Sequence, residues 1–266
     1  MRAYISYFKC QIAVGLQYKS AAFAGLITQF FWGILYVFVY EAFYNHASVE
    51  NINFSQLMCY VWLNQAFFYL VVPGIKDNQI IEQIKNGTVA YELCRPYDLY
   101  WWWYLKHLAV RFSGCALRSI PVIIFAFVLP KPYGLTLPCS KEAFVLFIIA
   151  IVLGSFITSE IFMIVQIITF YTYHEKGISS LIYIIQGLLQ GFDIPLPLLP
   201  VLFLTLTEFL PFRLISDLGE RIYSGNIGII YGLQSILLQI IWIIILIIIG
   251  KLLMNKALRK VSVQGG

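Results

Sequence analysis

The sequence predicts an all-α polytopic membrane protein of about six transmembrane helices, with both termini on the cytoplasmic side. Three observations predict it. Hydrophobic residues fill 60% of the 266 positions and charged residues only 12%, against roughly 25% charged in an ordinary soluble domain. Apolar runs recur at about the 20-residue length that crosses a bilayer, and mean hydropathy is +0.80. Lys and Arg gather in alternate connecting segments, the pattern of the positive-inside rule. Six spans and their loops use up the chain, so 1–266 reads as a single transmembrane domain without a separate soluble one.

Residues 1–19 carry Arg2, Lys9 and Lys19, with Ile5, Phe8, Ile12 and Leu16 at helical spacing. This predicts an amphipathic helix on the inner membrane surface or, equally, a cytoplasmic extension of the first span. Spans follow at about 21–43 and 54–75, joined by a loop without Lys or Arg. A polar segment at 76–106 leads to a third span at about 107–129. After a turn with Pro130, Pro132 and Pro138 come spans at about 142–170 and 177–192. Prolines 195, 197, 200 and 211 interrupt the apolar stretch at 193–226, and its unbroken part is too short to cross. That region reads as short re-entrant or interfacial helices at the outer face. The last span, about 228–253, is rich in isoleucine.

Twelve Lys and Arg then lie inside, including Lys76, Lys176 and Lys260, and four lie outside: Lys131, Lys141, Arg213 and Arg221. Arg111 and Arg118 fall within the third span. A seventh span at 196–212 would put the basic tail outside, and is rejected on that ground. The net charge of +5 is therefore a sign of topology rather than of nucleic-acid binding.

Catalytic motifs are missing. The sequence has no GxxxxGK[ST] loop to cradle ATP phosphates, no HExxH and no GxSxG. His46, His107 and His174 are scattered, so no metal site is assigned. The five cysteines (Cys10, Cys59, Cys94, Cys115 and Cys139) form no CxxC pair, and no disulfide framework is expected. No removable signal peptide and no catalytic residue are read in the chain.

The 76–106 segment has a character of its own. Ile80, Ile81, Ile84 and Val89 stand among charged neighbours, Asn86-Gly87 marks a turn, and Arg95-Pro96 stops a helix. Two short amphipathic pieces around a turn are expected, with Trp101, Trp102, Trp103 and Tyr104 as an aromatic belt ahead of the third span. The segment is either a plain surface loop or a docking surface for a cytoplasmic partner. Within the spans, Arg111 and Arg118 are seven apart and share a helix face. Arg111 and Glu160 sit at similar depth, which allows an interhelical ion pair. Arg118 has no evident partner, leaving a second subunit, a lipid phosphate or a substrate. Gln29, Asn64, Gln65 and Gln166 are expected to pack between helices.

The stretch NGTVAYELCRPYDLY at 86–100 and the stretch LPFRLISDLGERIYSG at 210–225, preceded by PLPLLP, resemble permease subunits of bacterial ATP-binding cassette exporters of the second type. In that branch of about 260 residues a Gly precedes L-x-R-P, and a later L-P-F leads to I-Y-x-G. The matching positions are Gly87, Leu93, Arg95, Pro96 and Asp98, then Leu210, Pro211, Phe212, Ile222, Tyr223 and Gly225; the intervening SDLGER has Gly219 and no Pro. The resemblance implies a permease subunit in the bacterial cytoplasmic membrane, paired with an identical or paralogous permease chain and with two copies of a separate ATP-binding subunit. ATP and Mg would sit on that subunit, with no cofactor in this chain. Residues 1–19 would be the connecting helix and 76–106 would hold the coupling helix, docking through Glu82, Lys85, Asn86, Gly87, Arg95, Pro96 and Asp98. Pro211, Phe212, Tyr223 and Gly225 would build the outer re-entrant motif. The alternative function is an ATP-independent secondary transporter or channel, coupled through Arg118 and Glu160.

Overall fold

The computed structural model describes residues 2–46, 51–75, 77–172 and 176–259, so Lys76, His174 and Lys260 lie outside the described residues. Among the described residues the protein is all-α, without strands. In chain order the helices are α1 (Arg2–Gln17), α2 (Lys19–His46), α3 (Phe54–Ala66), α4 (Phe68–Val71), α5 (Asn78–Lys85), α6 (Val89–Leu93), α7 (Leu99–Val128), α8 (Lys141–Thr172), α9 (Lys176–Leu189), α10 (Val201–Glu208), α11 (Asp217–Tyr223) and α12 (Ile229–Leu258). Four of them, α2, α7, α8 and α12, are long and apolar enough to cross a membrane.

α8 is the centre of the bundle and packs against α12, α11, α7, α4 and α5. Its small residues Ala143, Ala150, Gly154 and Ser155 face inward, which lets neighbouring backbones come close. Gly154 is the extreme case, since a Cβ there would stand 2.1 Å from the Ile215 carbonyl oxygen. Gly154 is 13 residues into α8, so the segment bearing Ile215 reaches roughly 20 Å along that helix at 1.5 Å per residue.

Three expected spans differ in the structure. The second, 54–75, starts at the Asn53 capping box but breaks at Phe67, giving α3 and α4. α4 stops at Val71 because Pro73 cannot donate to a continuing helix. The carbonyls freed by this stop are taken up from neighbouring helices. Arg111 Nη1 donates to Tyr69, Leu70 and Val72 oxygens at 3.4, 3.2 and 3.0 Å, and Gln190 Nε2 to Val71 at 3.3 Å. Unwound backbone at this depth is tolerated only with such partners. The third helix begins at Leu99 rather than 107, because Asp98 Oδ1 accepts from the Tyr100 and Trp101 amides at 3.0 and 3.4 Å. The aromatic belt therefore forms the first turns of α7. The fifth, α9, has 14 residues, or about 21 Å, short of a ~30 Å hydrocarbon core.

The connecting segments sort into two groups. At one end of the bundle, Asp98 joins three of them: Tyr4 Oη accepts from its amide at 2.8 Å and Lys251 Nζ lies 3.7 Å from its carboxylate. At the other end, Tyr133 donates to Glu41 at 2.6 Å, Tyr223 to the Thr136 carbonyl at 2.9 Å, and Asn226 to the Asn51 carbonyl at 2.8 Å. Members of each group are the segments that the charge pattern assigns to one side.

Candidate docking face and intramembrane charges

α5 is a short amphipathic helix with a defined start. Asp77 caps it by accepting from the Ile80 amide at 3.2 Å. Ile80, Ile81 and Ile84 are buried, and Ile80 and Ile84 join Leu99, Tyr100 and Trp103 of α7 and Met163 and Ile167 of α8 in one apolar cluster. Lys106 pins the cap from α7, with Nζ 2.6 Å from Asp77 and 2.9 Å from the Gln79 amide oxygen. These contacts leave Glu82, Lys85 and Asn86 exposed on the outer side. Gly87 follows at φ +70, a left-handed conformation that other residues adopt at a cost, and nothing lies within 4 Å of a Cβ built there.

Across the turn, α6 buries Val89 and exposes Tyr91 (73%) and Leu93, and Cys94, Arg95 and Pro96 after it are exposed too. Glu92 holds this piece together by pairing with Arg95 at 3.7 Å and accepting from Tyr97. Burial, then the Glu92 contact, pushes the Tyr97 phenol up to about 12. Asp98 does a different job from its neighbours, since it caps α7 and joins α1 and α12 as described. Trp102 lies between Tyr7 of α1 and Tyr97, with stacked ring centroids at 3.6 and 4.2 Å. Lys251 of α12 stands 4.7 Å over the Trp101 ring. The face is therefore an exposed ledge braced by α1, α7, α8 and α12. Tyr91, an exposed aromatic of the ledge, was not among the sequence candidates, and Leu93 only as a motif position; their exposure within a five-residue helix has no periodicity signal.

The intramembrane charges do not form the expected pair. Arg111 is fully buried and caps α4, while Glu160 accepts from Tyr100 Oη. Each is held by its own partners on different helices. The shared face of Arg111 and Arg118 is present, since both reach Tyr69: Arg111 meets its carbonyl, and the Arg118 guanidinium lies 4.1 Å from its ring centroid. Arg118 thus has partners within the chain, and its Nη2 also donates to the Ala21 carbonyl at 3.2 Å. Of the polar in-span residues, Gln166 packs between helices as expected, contacting His107 and donating to the Asp77 carbonyl at 3.4 Å. Gln29 instead faces a cavity.

The 211–225 segment is a plug rather than a surface motif. Pro211 and Phe212 start consecutive turns that close on Leu214 and Ile215. α11 then runs through SDLGER without interruption, the absence of Pro leaving the helix free to continue. Tyr223 ties it to the 130–140 loop, and Gly225 ends it at φ +71. Asp217 and Glu220 are buried, and Asp217 accepts from Tyr60 at 3.3 Å and Arg221 at 3.5 Å. The buried acids escaped the sequence reading because the segment is as polar as an exposed loop.

A sequence model of the ABC-2 transporter family matches residues 30–265, which leaves α1 outside the match. No curated protein and no solved structure matches the chain. The match spans the ledge, the broken second helix, the plug and all of the long helices from inside α2 onward. The chain belongs to the ABC-2 family of transporter proteins, as a multi-pass, permease-type membrane subunit.

Proposed function

We propose that the chain is the membrane half of an ATP-driven exporter, with ATP and Mg bound by a separate ATP-binding cassette subunit. Two copies of that subunit would dock beneath two permease chains in a bacterial cytoplasmic membrane. The observation that carries this reading is the ledge formed by α5 and α6. Its outward charges stand on a base of buried isoleucines tied into α7 and α8, so a push on the ledge is transmitted as rigid-body motion of the long helices. Glu82, Lys85, Asn86, Gly87, Arg95 and Pro96 would meet the partner. Asp98 would hold the ledge to its support. The meeting of α1, the ledge and the end of α12 around Asp98 supports placing both termini on the partner's side of the membrane.

The rival, an ATP-independent transporter, was to use Arg118 and Glu160 for ion coupling. Glu160 accepting from Tyr100 fits an interhelical staple better.

The test is gentle extraction followed by mass spectrometry, and then transport by the reconstituted complex. A stoichiometric ATP-binding subunit should co-purify. Gly87→Trp should leave the protein folded in the membrane and ATP hydrolysis running, while transport falls at least about tenfold, the scale of 1.4 kcal/mol of lost docking. Unchanged transport by this variant would remove the ledge from the mechanism.

A further inference from the structure

A cavity of ≈ 370 Å³ opens between α2, α3, α4, α7 and α9 and the segment after α9. Trp32, Phe68 and Tyr183 contribute aromatic walls, and Thr28, Gln29, Gln65, Arg118 and Asp193 are polar lining residues. Its size falls within the range of small-molecule sites.

An arginine is unusual at this depth. Arg118 is 16 residues beyond Trp102 and 10 before Val128, so at 1.5 Å per residue it is roughly 24 Å from the aromatic belt and about 15 Å from the other helix end. Its Nη2 is used on Ala21 and its face on Tyr69, while its buried Nε has no partner. Gln29 is only 4% exposed, and neither its amide nitrogen nor its amide oxygen has a partner. Asp193 is seated where Gly187 lacks a side chain, since a Cβ on Gly187 would stand 2.4 Å from Asp193 Oδ2. Among the described residues no ion pair joins Arg118 to Asp193. Asp193 is exposed and Arg118 half-buried, and the two opposite charges line one aromatic-walled cavity without meeting. A ligand bearing both opposite charges pairs with the two at once.

We propose that this cavity binds a zwitterionic amphiphile, with its phosphate or carboxylate at Arg118, its ammonium at Asp193 against the aromatic walls, and its linking polar group at Gln29. The amide of Gln29 offers one donor face and one acceptor to such a link. The apolar tail leaves between α2 and α9, where the cavity-lining Trp32 and Tyr183 are themselves exposed. A lone anion is disfavoured by Asp193, and a lone cation by Arg118. This inference rests on the exporter reading for its purpose, but not for the binding itself, so binding is measured without ATP.

The experiment uses the full chain in dodecyl maltoside, whose head is uncharged, and radiolabelled lysophosphatidylethanolamine as the probe. Competitors are unlabelled probe, lysophosphatidic acid as the anion and hexadecyltrimethylammonium as the cation. The zwitterion should compete at least about tenfold better than either. Arg118→Gln and Asp193→Asn should each weaken zwitterion binding about tenfold, or 1.4 kcal/mol. Asp193→Asn should improve the anion, and Arg118→Gln the cation. This reversal of preference is not produced by a general loss of structure. Arg118→Lys and Asp193→Glu keep the charges and should keep the zwitterion preference. Equal competition by all three heads, or variants that lose all three alike, overturns the proposal. Failure of head selectivity in a complex that still couples ATP hydrolysis to transport would sink this inference alone. Selective binding by a chain that recruits no ATP-binding subunit would uphold it and sink the exporter reading.

Discussion

The ledge at 77–98 and the plug at 211–225 are both short helical segments ahead of a long apolar helix, and both are dense in charge. They use that charge in opposite ways. On the ledge, isoleucines point inward and Glu82, Lys85 and Arg95 point out. In the plug, Asp217, Glu220 and Arg213 point inward, against α3, α8 and the α9 end. A charge turned outward on a rigid base is available to a partner. A charge turned inward that finds partners in the fold, as Asp217 does in Tyr60 and Arg221, fixes the position of the backbone that carries it. The comparison separates a surface suited to transmitting force from one suited to sealing the bundle.

The sharpest way to break it is to unseat the plug. Gly154→Leu puts a side chain where only 2.1 Å separates a Cβ from the Ile215 oxygen, and backbone is the least yielding neighbour. Overpacking of this kind costs about 3 kcal/mol, and the purified protein should melt at markedly lower temperature. An unchanged melting temperature would mean that α8 and the plug are not in contact. Asp217→Ala comes next. It removes the acceptor for Tyr60 and Arg221, and a hydrogen-bonded buried charge is worth about 2 kcal/mol. Thermal unfolding should show that loss, whereas a neutral result would place Asp217 in contact with solvent.

How far the sequence revealed these regions follows from where the deciding partner lies. The long helices α2, α7, α8 and α12 and the two pieces of the ledge were legible, because hydropathy and local period report local structure. The Asn86-Gly87 turn was legible because glycine at φ +70 is a local requirement. How the unwound backbone after Val71 is satisfied was not, since the residues that take up its carbonyls, Arg111 and Gln190, are about 40 and 120 positions away. The expected Arg111–Glu160 pair failed for the same reason. Spacing along the chain sets neither azimuth nor partner: Glu160 meets Tyr100, and Arg111 meets the carbonyls at the end of α4. Gln29 resembles the other in-span amides in sequence, and it is the packing, which leaves both its amide nitrogen and its amide oxygen without a partner, that sets it apart.

A smaller effect tests the join between ledge and bundle. Asp98→Ala removes the cap on α7 and the contact to Lys251, at a cost of about 1 kcal/mol. Asp98→Asn keeps a capping oxygen without the charge and should recover most of that loss in thermal unfolding. If both variants lose equally, the ion pair to α12 matters more than the cap.

The smallest stability effect should belong to the residue with the most direct part in docking. Glu82 is exposed on α5 beyond the buried isoleucine face. A surface substitution of this kind changes stability by less than about 0.5 kcal/mol, so Glu82→Ala should melt like the parent protein. The same change should lower the amount of ATP-binding subunit retained through gentle purification, and the difference from the parent should shrink at high salt, because exposed charge contacts are screened within about 10 Å at 0.1 M. The plug variants should give the converse result, with impaired melting and, in whatever fraction stays folded, normal retention of the partner. A Glu82→Ala protein that melts early would mean that the ledge, like the plug, uses its charges to hold the fold.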